Sequence, residues 1–321
     1  MATRTIILLG IMMLFSSASY AQEPDRWIGA NVKLSGDATW GTDKAGQSLE
    51  NLAESGAERG LLVAFTWQAE PDSNDPVIGG DSTPDQVRVG LQQMREAGLE
   101  PVLKIHLWIP DHWAGEAEPT DRAAWFAAYS KAVVELARVA SEENAAAVVV
   151  GSELRGVQNS GYWPSLVRKV RQVYSGKILY VADSLEQAES FRYWSLFDAI
   201  GTSLYPSLSS DPAEREKEMR DTAQRLQALS ERHQRPVWVA ELGVRSAQGS
   251  LSAPWESPEQ QELPVDLDLQ LNVLEAWLEA LQTPAIEGIA IWCWYTDPAA
   301  GGPEDTDFTV QNKPAQAILE Q

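Results

Sequence analysis

A chain of 321 residues with 25 basic against 46 acidic side chains carries a net charge of −21. Such a surface repels nucleic acid, anionic lipid and polyanionic sugars while favouring solubility. Its single cysteine, Cys293, leaves no intramolecular disulfide, so the core must hold the fold by itself.

The chain opens on a short cationic segment with Arg4, an apolar run from Ile6 to Phe15, and small residues that put Ser19 and Ala21 where a signal peptidase reads. This predicts a signal peptide over residues 1–21 and an exported chain, periplasmic or secreted. The run is too short for a membrane span, and no lipid-anchor cysteine follows it. No linker, repeat or low-complexity tract divides residues 22–321, so one domain is expected.

Trp27–Leu34 reads as a first strand and Ser48–Ala57 as a helix with Leu49 and Leu52 inward. Leu61–Trp67 is a second strand, followed by a long polar loop, 68–82. From Pro84 the apolar residues Val87, Leu91 and Met94 fall at helical spacing, and Gly98 ends that helix. Pro101–Trp108 is the third strand; a loop over 109–119 leads into a helix with Trp125, Tyr129, Val133, Leu136 and Ala140 on one stripe. The fourth strand, Ala147–Ser152, is small and β-branched, as suits burial on both faces. Helix Tyr162–Tyr174, strand Lys177–Ala182, helix Leu185–Trp194, strand Asp198–Tyr205, helix Glu214–His233, strand Pro236–Ala240, helix Asp266–Leu281, strand Gly288–Trp294 and helix Pro314–Leu319 complete the alternation. Eight strand–helix units without a glycine-rich phosphate fingerprint predict an α/β fold, a closed (β/α)₈ TIM barrel. Its strand-to-helix loops are the long ones, and function sits on that side.

Two strands deliver a glutamate there: G-S-E-L ends in Glu153 and V-A-E-L in Glu241. Charges are expensive to bury unless paired or at work. A pair of carboxylates facing across one cleft is the minimum for glycoside hydrolysis, one protonated to assist the leaving oxygen and one ionised. Tryptophans near strand ends (Trp67, Trp108, Trp113, Trp255, Trp292 and Trp294) suit stacking on sugar rings. Trp292 and Trp294 share a parity, so both are expected inside the barrel. His106 is a candidate to bond a sugar hydroxyl, and Tyr205 to donate to the nucleophile. Asp183 could contact sugar or, more simply, cap the next helix. Arg245 is either electrostatic support or a solvated loop residue. The three histidines lack metal spacing and no H-E-x-x-H occurs, so neither metal nor other cofactor is expected.

At these residues the sequence resembles glycoside hydrolase family 113, retaining β-mannanases of a large clan of (β/α)₈ glycosidases. The resemblance rests on T-W-Q at 66–68, L-K-I-H at 103–106, G-S-E-L at 151–154, F-D-A-I-G-T-S-L-Y-P at 197–206 and P-V-W-V-A-E-L-G-V-R-S at 236–246. It implies that Glu153 is the acid/base and Glu241 the nucleophile. It adds Gln68 to the candidate sugar contacts, with Ser152 standing where the clan commonly has a sugar-binding Asn. The expected partner is a neutral β-linked polysaccharide or oligosaccharide, mannan first, with no nucleic acid or membrane partner and a monomeric chain. A non-catalytic carbohydrate-binding barrel and a transglycosylase of the same fold remain open.

Overall fold

A computed structural model describes residues 26–320; the signal-peptide reading of residues 1–21 lies outside them. Eight parallel strands run β1 Trp27–Lys33, β2 Arg59–Trp67, β3 Glu100–Trp108, β4 Ala147–Ser152, β5 Lys177–Ala182, β6 Ala199–Leu204, β7 Val237–Leu242 and β8 Ile286–Tyr295. Each pairs with its neighbours, and β1 pairs with both β2 and β8, which closes the barrel. A two-residue piece, Val77–Ile78, pairs antiparallel with Thr66–Trp67 and widens the rim beside β2.

Helices α1 Asp43–Glu54, α2 Pro84–Glu96, α3 Arg122–Glu142, α4 Trp163–Arg171, α5 Leu185–Ser190, α6 Pro212–His233 and α7 Leu267–Ala280 alternate with the strands. Several boundaries follow caps that periodicity alone does not reveal. Thr42 accepts from the Ala45 N–H and starts α1 five residues before Ser48. Asp211 caps α6, with Pro212 in its first turn. The final segment, Pro314–Glu320, is a 3₁₀ helix rather than the expected α-helix.

Two apolar layers result, because successive strand residues face opposite ways. Residues such as Leu62, Leu103, Val148 and Ile178 pack under the helices. Leu61, Val102, Val149, Leu179 and Val181 fill the barrel. At its lower end Trp27 meets Trp238 edge-on at 4.7 Å, and the Arg59 guanidinium lies 4.7 Å and 5.1 Å from the two rings. Gly288 makes room for this plug, since a Cβ there would lie 1.8 Å from the Trp27 indole. A filled floor leaves the strand C-termini as the accessible end.

Gly288→Ala is expected to lower unfolding free energy by about 1–3 kcal/mol through overpacking against Trp27. Urea denaturation followed by tryptophan fluorescence checks this.

Candidate active site

The strands that deliver the site are irregular at their upper ends. Along β4 the step from Val149 to Ser152 matches only Leu179 to Val181 on β5. Along β7, Val239 to Glu241 matches Thr202 to Ser203 on β6. Along β8, Ile291 to Trp294 matches Ala30 to Val32 on β1. Each extra residue is a bulge, and each breaks the inward–outward alternation. Ala240 lies in the interior, and Glu241, the very next residue, reaches the interior Lys104 as well. Strict alternation would have sent Glu241 outward with Val237 and Val239. The bulge in β8 likewise separates Trp292 from Trp294. Trp292 stands beside Lys33 and Lys104, with their ammonium groups 5.1 Å and 5.2 Å from its ring. Trp294 instead lies outside the barrel, donating its indole N–H to Ser48, so the expectation that both rings face inward is corrected.

Glu241 is buried, and both its oxygens are engaged. Lys104, fully buried in the middle of β3, forms a very short ion pair with Oε1. The Tyr205 hydroxyl donates to Oε2 at 3.0 Å. The Lys104 ammonium also donates to Asn31 Oδ1 at 2.8 Å. Asn31 in turn donates through Nδ2 to the carbonyls of Ala240 at 2.9 Å and Ile291 at 3.3 Å. One side chain of β1 thereby ties together Lys104 and two bulged strands.

Glu153 follows β4 with φ of +59°, the left-handed region that a non-glycine residue rarely occupies. Its N–H donates to the Val181 carbonyl at 2.8 Å, and the Trp113 indole N–H donates to Oε2 at 2.9 Å. Gly115 lets that indole lie flat on the loop, because a Cβ at 115 would come within 2.2 Å of the ring. The Arg155 guanidinium also lies over Trp113, 4.8 Å from the ring. Burial pushes the Glu153 carboxyl up to about 7, and the nearby charge of Glu241 adds to the rise. Trp113, Ser203 and Lys104 pull the other way. Two carboxylates close enough to repel thus occupy unlike surroundings. One is held against a cation and the other keeps a proton near neutrality.

The remaining sequence-predicted residues divide sharply. Tyr205 and Trp113 each touch a glutamate. His106 lies on the interior parity of β3, its Nδ1 beside the backbone of Leu107. Burial lowers its pKa and Lys104 lowers it further, against an opposing pull from Glu241. Ser152 is fully buried, and its hydroxyl has no hydrogen-bond partner among the described residues. Trp67 and Trp255 are exposed, and no bond or ring contact among the described residues ties Trp255 to the carboxylates. Gln68 does not face the cleft: it is buried, accepts from the Trp125 indole at 2.7 Å and donates to the carbonyls of Glu70 and Pro71. Asp183 forms a very short ion pair with Arg155, while Ser184 caps α5, so its anticipated capping role is corrected. Arg245 is neither solvated nor at the site. It is buried and clamps the loop carbonyls of Thr306 and Gln261. Sequence reading missed Lys104 and Asn31, although a lysine inside an apolar strand and an asparagine within W-I-G-A-N-V are both signals of buried polar pairing.

Known proteins similar to this chain in sequence or fold are glycoside hydrolases. The sequence profile of Glycoside Hydrolase Family 113 matches residues 32–313. Among solved structures, the chain is similar to the GH113 β-mannanase AaManA from Alicyclobacillus acidocaldarius in complex with ManMIm. That match has 25% identity and a TM-score of 0.81, over 91% of this chain and 95% of that one. Two further GH113 β-1,4-mannanase structures share the fold at a TM-score of 0.81 each. One is 20% identical over 92% of this chain and 98% of its own. The other is 19% identical over 93% and 98%. No protein of curated function matches the sequence.

Removing one partner of a buried ion pair strands the other. Lys104→Met is therefore expected to cost about 3–5 kcal/mol of stability at neutral pH, more than Lys104→Arg. Denaturant unfolding of both variants checks this.

Proposed function

This chain belongs to glycoside hydrolase family 113 and is a glycoside hydrolase, and we propose that it cleaves β-1,4-linked mannan-type polysaccharide with retention of configuration. The observation that carries the reading is the pair Glu153 and Glu241 at one barrel mouth, coupled in charge yet oppositely surrounded. Glu241 attacks the anomeric carbon while Glu153 gives its proton to the departing glycosidic oxygen. A covalent glycosyl–Glu241 intermediate results. Glu153, now ionised, takes a proton from water, whose oxygen bonds the anomeric carbon as the carboxylate of Glu241 leaves. That proton restores the acid form of Glu153 for the next turnover.

The surroundings serve those two roles. Lys104 and Tyr205 hold the Glu241 carboxylate in place, and each oxygen keeps a lone pair for the substrate. Trp113 fixes the direction of the Glu153 carboxyl. Trp292, on the interior wall beside Lys104, offers an apolar face to the bound sugar. Both carboxylates come from one chain, so a single copy carries the complete pair. The signal-like pattern at 1–21 supports export, so that substrate is met outside the cytoplasm. Mannan as the sugar rests on the family and on what the similar structures are said to cleave.

Glu241→Ala is expected to reduce β-mannan hydrolysis to background, and Glu153→Ala to reduce it by about 10²–10⁴-fold. Reducing-end assays across β-mannan, glucomannan, xylan and β-glucan read both the loss and the sugar preference. Unchanged turnover in both variants would sink the assignment. Product analysis at high acceptor concentration separates hydrolysis from transglycosylation.

Because the acid must hold its proton, kcat/KM of the wild type is expected to fall as pH rises through about 7. The Trp113 hydrogen bond favours the Glu153 anion, so Trp113→Phe should move that alkaline limb to higher pH. A pH–rate profile for both proteins checks the sign.

A further inference from the structure

The loop after β3 that carries Trp113 is fastened to the segment after β4 that carries Glu153. The Gly156 N–H donates to the Gly115 carbonyl at 3.0 Å. Gly156 permits this close approach, since a Cβ there would lie 2.3 Å from the Ala117 carbonyl oxygen. Within the loop, Glu116 accepts from the Trp113 backbone N–H at 3.4 Å and meets His112 Nδ1 at 2.8 Å. These bonds hold the backbone rather than the ring. The ring is 36% exposed, and two other side chains engage it. Glu153 accepts from its N–H at 2.9 Å, and the Arg155 guanidinium lies over it at 4.8 Å.

Arg155 is itself committed at its far end. Its side chain is half exposed, a setting in which an ion pair ordinarily contributes little. The partner here is different: Asp183, the residue after β5, has a side chain only 3% exposed. A carboxylate so deeply placed keeps its charge only against a countercharge. Its Oδ1 finds no hydrogen-bond partner among the described residues. Burial raises the Asp183 pKa, and Arg155 pulls it back down. Tied there, the guanidinium is held where the face of an indole attracts it. A line of contacts thus runs from Asp183 through Arg155 and Trp113 to Glu153, drawing on the loops after β5, β4 and β3.

We propose that Arg155 is a positioning residue for the acid/base: moored on Asp183, it holds the Trp113 indole against Glu153, so that the indole N–H keeps donating to Oε2 and the carboxyl stays aimed. This deepens the hydrolase reading and rests on it for the role of Glu153. The other charged or titratable groups acting on Glu153 are Glu241 on β7, Lys104 on β3, Tyr180 on β5 and Tyr205 after β6.

Arg155→Leu strands the buried Asp183, so it is studied beside Arg155→Leu/Asp183→Asn, which removes both charges together. The first readout needs no turnover. Carboxyl carbon NMR follows the Glu153 titration, assigned by its loss in Glu153→Gln, and the Trp113 indole N–H signal is assigned by its loss in Trp113→Phe. The indole bond favours the Glu153 anion, so both Arg155 variants are expected to raise the Glu153 midpoint about as far as Trp113→Phe does. The indole N–H signal should move upfield as its hydrogen bond weakens. Adding Arg155→Leu to Trp113→Phe should raise the midpoint no further, which separates action through the ring from direct action of the guanidinium charge. On β-mannan the Arg155 variants should lose roughly tenfold in kcat with KM changed far less, and their alkaline limb should move to higher pH. A midpoint and indole signal untouched by removing Arg155, or a shift that adds in full to that of Trp113→Phe, would overturn the proposal. If the wild type cleaves no β-mannan while the shifts appear, the positioning stands and the hydrolase reading falls. If it cleaves and the shifts do not appear, the reverse follows.

Discussion

Everything at the upper end of this barrel depends on one buried contact, the ion pair between Lys104 and Glu241. A carboxylate with 4% of its side chain exposed is sustained only by a countercharge and by hydrogen bonds to its remaining lone pairs. Lys104 supplies the first and Tyr205 the second. The lysine is itself bonded to Asn31 as well as to Glu241. Once Glu241 is fixed as an anion site, its field helps keep the proton on Glu153. The division of labour between two chemically identical side chains therefore begins one layer below the cleft.

The barrel itself was legible in the amino-acid pattern, because strand and helix periodicities alternate cleanly and each strand run is bounded by turn residues. Helix starts were less so, since Thr42 and Asp211 act through single capping bonds that leave no periodic trace. The two glutamates stood out as charges at the ends of apolar runs. What could not be read was how Glu241 turns inward, because a bulge adds one residue without any signature in V-W-V-A-E-L. The same cause defeated the parity argument for Trp294.

Polar residues near the site were the least legible group. Gln68 and Asp183 occupy positions from which a sugar contact is reasonable, yet tertiary partners, Trp125 and Arg155, claim their polar atoms. Arg245 follows Glu241 by four residues but turns away to hold the long loop before α7. Conversely, Lys104 and Asn31 lie where alternation predicts interior packing, and only the assembled barrel brings them within bonding distance of each other and of Glu241. Pairings of this kind join residues 73 and 137 positions apart, beyond any local pattern.

The brace made by Asn31 has a consequence for when the protein becomes competent. Its amide grips carbonyls on β7 and β8, while its own strand is among the first described and β8 is the last. The first and last strands of the barrel must therefore meet before the brace beside Lys104 is complete. A nascent or truncated chain lacking its final strand possesses both acids but not the scaffold that tells them apart.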